Sequence, residues 1–501
     1  MSSNNLTISS SALFSPMQSR QNTVWGIGRS LAVTLLYLVS YPVYIRFLGL
    51  EVFGVWIMFM TVVLYLQLGF LSLPQAAAKF ISENLARQDA MRVCQYATSM
   101  LVAILGISLL ILLLALVSRP FIPRLSWVKG FGAAQLSYLA GLAVLVTVQA
   151  ALAETLGGIL AGLGRMDQTF QGEILRQVVT FLISLGLLFQ GYQLLALFYG
   201  AILAYLLQLA WLVWLMRRSL GFFPLGLRFF SWARLAETAR FSGPLLGGSL
   251  LSCLLQPFNR LLLGYMISPA ATAIYEIADR GAQVIRSVAE TGLRPYMPRI
   301  SGLHALADLE QIRQVTVRLV ETVIIWCTPV FFLFFLMADE LVASWLRPAG
   351  TAEISFNLRL LLWANFLNLL SVPVYYAFMG LGLVGRCFRI YFLQALINVP
   401  AALLLVWTIG EVWAVSLAAA LGISLGALDQ VRLFFRTRAE AVHLIARGLR
   451  ALAWPLMFFA PLMLVRQHFP LLLSFGSVAG LLYVLLMKRW GKVSESFVKS
   501  E

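Results

Sequence analysis

Apolar residues in this chain run in long blocks, with little of the two-residue alternation of a half-buried strand or the single face of a soluble amphipathic helix. Fourteen blocks recur from end to end: 24–47, 52–73, 95–118, 133–160, 172–190, 192–216, 241–267, 270–292, 315–337, 356–382, 389–408, 411–428, 450–466 and 469–487. Most lie near the length of about 20 residues that crosses a bilayer. The pattern therefore predicts an all-α polytopic membrane protein with about 14 transmembrane helices, the shortest gap falling at 409–410. A mean hydropathy of +0.85, with 60% hydrophobic residues, rules out one soluble core for these 501 residues.

Charge in the gaps sets the orientation. With both termini cytoplasmic, Lys79, Arg87 and Arg92, then Arg217, Arg218, Arg228, Arg234 and Arg240, then Arg432, Arg436, Arg438, Arg447 and Arg450 all lie inside, as the positive-inside bias requires. Arg119, Arg124 and Lys129, in the second outer loop, run against it. The net charge of +16 is mostly this loop bias. Residues 1–22 are Ser- and Asn-rich, lack a signal-peptide core, and are expected to form a disordered cytoplasmic tail. Residues 217–240 alternate Arg with Phe and Trp, a composition for an amphipathic helix lying on anionic membrane lipid.

A weak internal repeat divides the rest. "RFLGLEVFGVW" (46–56) and "RLLLGYMISPAATAIY" (260–275) each join two spans through a Leu-Gly and a small-residue turn. The helices that follow end in "KFIS" (79–82) and "PRIS" (298–301). This predicts two pseudo-symmetric six-helix lobes, 23–216 and 241–436, followed by 437–501 with two further spans and a cytoplasmic tail. Paired lobes around a mid-membrane site are a common plan of secondary transporters.

The charges left inside the spans carry the candidate chemistry. "YEIADRGAQVIRSVAE" (275–290) places Glu276, Asp279, Arg280, Arg286 and Glu290 on about a third of one helix's circumference. Facing lipid, these five charges would cost on the order of 12–17 kcal/mol, so they must face inward. Glu276 with Arg280, and Arg286 with Glu290, are spaced to pair along the helix. Arg29 and Arg260 complete the intramembrane cations, and Glu154 stands alone in the fourth span. We assign Arg29, Arg260, Arg280 and Arg286 to binding an anionic substrate, and Glu154, Glu276, Asp279 and Glu290 to coupling or gating with H⁺ or Na⁺. Only five of 37 basic residues are Lys, and guanidinium suits bidentate phosphate contact.

Nothing here points to an enzyme, a nucleic-acid partner or a resident cofactor. No GxxxxGK[ST] loop is present. His304, His443 and His468 lie far apart, and Cys94, Cys253, Cys327 and Cys387 lack metal or redox spacing and are expected to be free thiols. Asn365, Asn368, Gln394 and Asn398 read as hydrogen-bonding glue between helices.

"YPVYIRFLGLEVFGVW", followed by an exit through "PQAAAKFISE", resembles the opening of bacterial polysaccharide flippases. These belong to the multidrug, oligosaccharidyl-lipid and polysaccharide exporter superfamily. The resemblance extends to the "AIYEIADR" helix and the basic linker, and so covers most of the chain. It implies a multi-pass protein of the bacterial plasma (inner) membrane that carries undecaprenyl-pyrophosphate-linked O-antigen or capsule repeat units outward by alternating access. The implied partners are a lipid-linked oligosaccharide, a polysaccharide polymerase and glycosyltransferases. Lipid II flippases carry an Arg-Asp pair in the first helix, where this chain reads "GRSLAV", with no acid after Arg29. A lipid II flippase and a multidrug or small-cation antiporter on the same fold stay open as alternatives.

Overall fold

A computed structural model of the chain describes residues 16–68, 70, 72–118, 132–220, 227–293, 296–306, 308–346 and 350–435. The expected outer loop bearing Arg119, Arg124 and Lys129, the two spans expected at 450–487, His443 and His468 lie outside the described residues. Within them the chain is helical, without strands: α1 (Pro16–Gln67), α2 (Leu73–Ala86), α3 (Ala90–Ser118), α4 (Ala133–Gly162), α5 (Met166–Phe189), α6 (Gln193–Leu220), α7 (Trp232–Cys253), α8 (Gln256–Met266), α9 (Pro269–Leu293), α10 (Tyr296–Ala305), α11 (Leu309–Leu336), α12 (Ala338–Leu346), α13 (Thr351–Gly380), α14 (Val384–Ile409) and α15 (Val412–Phe434).

Nine of the described helices are long and apolar enough to cross a membrane. One of them, Val24–Gln67, runs through the first two expected spans and is broken at Gly49, whose φ of 73° takes the backbone out of the helix. The seventh expected span is absent from the nine because it is broken at Leu254–Leu255 into α7 and α8. The eighth, α9, is amphipathic, as its charged face required. The short gap at 409–410 is real: Gly410, at φ 71°, ends α14, and α15 begins at Val412. α1 begins at Pro16, so residues 16–22 of the expected tail are helical, and residues 1–15 lie outside the described residues.

The described chain separates into two compact units, Met1–Cys253 with Ser268–Ala273, and Leu254–Ile267 with Ile274–Glu501. In the first unit α4 is the central helix, packed on α1, α2, α3, α5 and α6. Its "GGILAG" end lets α2 approach closely: a Cβ on Gly158 would sit 2.5 Å from the Pro74 backbone, and one on Gly162 would sit 2.7 Å from Ile81 Cβ. Phe80, Ile81, Tyr96, Met100, Ile159 and Leu160 fill the core there. The segment 268–273 is tied to this unit by Pro269, whose carbonyl a Cβ on Gly54 would meet at 1.8 Å, and by Ala270 N–H donating to Glu51 at 3.3 Å.

In the second unit α13 takes the central place, packed on α10, α11, α12, α14 and α15. Both central helices are 30 residues long and end in Gly-Leu-Gly, at 162–164 and 380–382. Gly164 (φ 79°) and Gly382 (φ 73°) each turn the chain into the next helix. The backbone bonds match: Leu163, Gly164 and Arg165 donate to Ile159, Ala161 and Leu160, and Leu381, Gly382 and Leu383 donate to Ala377, Met379 and Phe378. Gly380 receives Ile300 of "PRIS" as Gly162 receives Ile81 of "KFIS", with a Cβ on Gly380 falling 2.7 Å from Ile300 Cγ2. The repeat read from short sequence echoes is thus a shared helix-packing contact.

Candidate functional site

The polar centre of the second unit is built on α8 and α9. Where α7 ends, the backbone leaves helical geometry, and α8 restarts with Pro257 in its first turn. The interruption frees carbonyls that side chains then satisfy. Asn398 Nδ2 donates to Leu254 O at 3.2 Å and exchanges reciprocal bonds of 3.0 and 3.1 Å with Asn259, which also donates to Tyr275 Oη at 3.0 Å. This frame holds Arg260, one residue on, against α9.

Arg260 Nη2 lies 2.6 Å from Glu276 Oε2 and 3.6 Å from Asp279 Oδ2. Glu276 is 1% exposed and Asp279 0%. Arg280 Nη2 reaches the other Glu276 oxygen at 3.0 Å, so Glu276 bridges two guanidiniums. Gln283 donates to Asp279 Oδ2 at 2.7 Å, and Asp279 Oδ1 is buried with no hydrogen-bond partner among the described residues. Further along α9, Arg286 meets Glu290 at 3.6 Å, so both anticipated pairs along the helix form. The cations differ in access: the Arg260 side chain is 13% exposed, whereas Arg280 and Arg286 are 29% and 28% exposed. Arg260 thus faces two buried acids.

Glu154 and Arg29 belong to a second cluster, inside the first unit. Arg29 Nε donates to Glu173 of α5 in a short ion pair and lies 5.7 Å from the Phe170 ring centroid. The carboxylate partner of Arg29 thus comes from another helix. Glu154 of α4 is exposed and within electrostatic reach of Glu173, Arg176 and Arg29. Arg176 lies 4.6 Å over the Tyr205 ring of α6. Sequence reasoning missed Glu173 and Arg176 because the expected span began at 172, which placed them at a helix end. The helix begins at Met166, ten residues before Arg176, or about 15 Å at the helical rise of 1.5 Å per residue.

The linker is not one amphipathic helix along its described length. Residues 221–226 lie outside the described residues, Leu227–Phe229 is a 3₁₀ turn, and α7 begins at Trp232. Its second half is docked on α3: Ser99 Oγ accepts from Ser231 N–H at 3.0 Å and donates to Ser231 O at 3.3 Å, and Tyr96 donates to Glu237. That hydroxyl, with Arg234 at 3.1 Å, holds the Glu237 carboxyl below the usual range. Phe80 stacks on Tyr96 with ring centroids 4.9 Å apart and packs edge-on against Phe241. At the other end of α7, Tyr65 donates to Cys253 O at 2.8 Å.

Of the amides expected to join helices, Asn398 does so, while Asn365 donates to Leu361 O of its own helix. All four cysteines are free.

A family described as "Polysaccharide biosynthesis protein" matches residues 19–304, more than half of the chain. No curated protein matches the chain. Among solved structures, the lipid II flippase MurJ in its inward closed conformation is similar with a TM-score of 0.69 at 12% identity, covering 94% of this chain and 98% of that one. An inward-facing multidrug resistance transporter of the MATE family, in the MOP superfamily, gives 0.68 at 14%, covering 85% and 99%. A MOP superfamily transporter from Pyrococcus furiosus, whose binding pocket is described as reversed in polarity, gives 0.57 at 15%, covering 87% and 99%. These likenesses identify the fold as that of the MOP superfamily transporters.

Proposed function

We propose that this chain, which belongs to the polysaccharide biosynthesis protein family, is a flippase that moves undecaprenyl-pyrophosphate-linked oligosaccharide repeat units from the cytoplasmic to the outer leaflet of the bacterial inner membrane by alternating access. The observation that carries this reading is the charged face of α9, where Arg280 and Arg286 are partly open while Glu276 and Asp279 are buried. Two guanidiniums six residues apart on one helix are suitable donors to a diphosphate. Arg260 acts through Glu276: by holding one carboxylate oxygen, it leaves Arg280 competing for the other.

When diphosphate takes Arg280, Glu276 loses a cation. That exchange gives Glu276 and Asp279 a difference in affinity for H⁺ or Na⁺ between the empty and loaded states, which is what coupling requires. Glu290 stands in the same relation to Arg286, and Glu154, which carries no ion pair among the described residues, is the coupling carboxylate we assign to the first unit. Outward movement of the anion is also favoured by an inside-negative potential, at about 2.3 kcal/mol per charge per 100 mV. The Arg29–Glu173 pair favours a second reading, a lipid II-type substrate, because it assembles from two helices the arginine–acid pair of that branch.

The test is surface polysaccharide in cells whose own gene is replaced by Arg280→Ala or Arg286→Ala. Export should fall at unchanged protein level. Normal export from the double variant would remove the diphosphate site from α9.

A further inference from the structure

The first-unit cluster has a composition that a diphosphate does not need. It holds two guanidiniums, Arg29 and Arg176, and two carboxylates, Glu154 and Glu173, on three packed helices, α1, α4 and α5, with Tyr205 of α6 beside them. One pair is closed: Arg29 on Glu173. The other two groups are presented differently. Glu154 makes no hydrogen bond or ion pair among the described residues, and it is exposed on the central helix of its unit, 17 of whose residues are buried. Arg176 has its guanidinium 4.6 Å over the Tyr205 ring and makes no side-chain hydrogen bond or ion pair among the described residues.

Charge balance selects the ligand. An anion entering this cluster gains from two guanidiniums what it loses to two carboxylates, and a cation meets the reverse. A neutral ligand rich in both donors and acceptors can use all the groups at once. A carboxylate accepts two hydroxyl hydrogens, and a guanidinium donates to ring or amide oxygens. Neighbouring hydroxyls on a pyranose ring, with apolar C–H faces, have that complement. We infer that Glu154 and Arg176, with Tyr205 backing the guanidinium, form a glycan subsite within the first unit, distinct from the arginines of α9. This inference rests on the flippase reading and assigns the sugar-recognising residues to the first lobe.

The test is equilibrium binding to purified full-length protein in lipid nanodiscs, with two probes: undecaprenyl pyrophosphate, and the same lipid carrying one N-acetylhexosamine. Wild type should bind the glycosylated probe roughly tenfold more tightly, the discrimination that one or two well-placed polar contacts supply. Glu154→Gln, which keeps shape, and Tyr205→Leu should each remove most of that difference and leave the bare probe unchanged. Arg280→Ala should weaken both probes alike. Equal affinity of wild type for the two probes would overturn the subsite, as would Glu154→Gln changing both affinities equally or neither. A wild type that binds neither probe would instead overturn the flippase reading. Should Tyr205→Leu lower the melting temperature, Glu154→Gln alone decides.

Discussion

Replacing Arg260 with Met keeps its approximate volume and removes the cation that faces two buried acids. Glu276 retains Arg280 at 3.0 Å, but Asp279 is left with Gln283 and no ion pair at 4.0 Å or less among the described residues. Breaking a buried pair from one side costs about 3–5 kcal/mol, because the remaining charge stays desolvated. At about 2–4 °C per kcal/mol for a unit of this size, Arg260→Met should lower the melting midpoint of the purified protein by on the order of 10 °C. Removing the orphaned charge should restore it: the double variant with Asp279→Asn should recover at least half of the loss. The assay is thermal unfolding in one detergent, followed by tryptophan fluorescence. An Arg260→Met variant that melts with wild type, or a double variant no better than the single, would refute the assignment of Arg260 as counter-ion to these acids.

Gly162→Ala should cost about 1–3 kcal/mol of stability, read by the same unfolding assay, because the Ile81 Cβ it meets cannot rotate away. Gly380→Ala should cost less, since its nearest contact is the Ile300 Cγ2 methyl, which can move by a rotamer change. Asn398→Ala removes the donor to both Leu254 O and Asn259 Oδ1 and should destabilise by about 1–3 kcal/mol, with Asn398→Asp recovering less than half. The Glu237 carboxyl sits below its ordinary range because Tyr96 and Arg234 favour its ionised form. Its contribution is therefore full above the unfolded value and is lost as pH falls through the lower folded one. Proteolysis within residues 230–240 should accelerate below about pH 4 relative to pH 7, and Glu237→Gln should flatten that dependence.

The helical plan was legible because lipid imposes it. Spans of some 20 apolar residues cannot be hidden in a sequence, and the described helices fall where those blocks run. The amphipathic α9 could be read for the same reason, since five charges in an apolar chain have one tolerable orientation. Partners drawn from distant helices left no local trace. Glu173 meets Arg29 across 144 residues, and Arg260 reaches Glu276 only because a helix breaks at Leu254–Leu255. The break itself was masked by the apolar run "GGSLLSCLL", which reads as continuous helix. Arg176 was missed because hydropathy marks where a span becomes apolar, whereas its helix begins six residues earlier, at Met166.

The six residues Ser268–Ala273 have a consequence for biogenesis. Every other part of the first unit is complete by Cys253, and its defining contact, Ile81 on Gly162, closes between neighbouring helical hairpins. That half can therefore bury its core while the remainder is still being synthesised, and domains do generally fold as units, N-terminal first. The carbonyl that seats over Gly54 belongs to Pro269, beyond the broken seventh span. Translation order makes it the last piece of the first half to arrive. A chain arrested between 253 and 268 would hold a nearly finished half with Gly54 uncovered, so protection of the Glu51–Gly54 segment from chemical labelling reports when synthesis has passed that point.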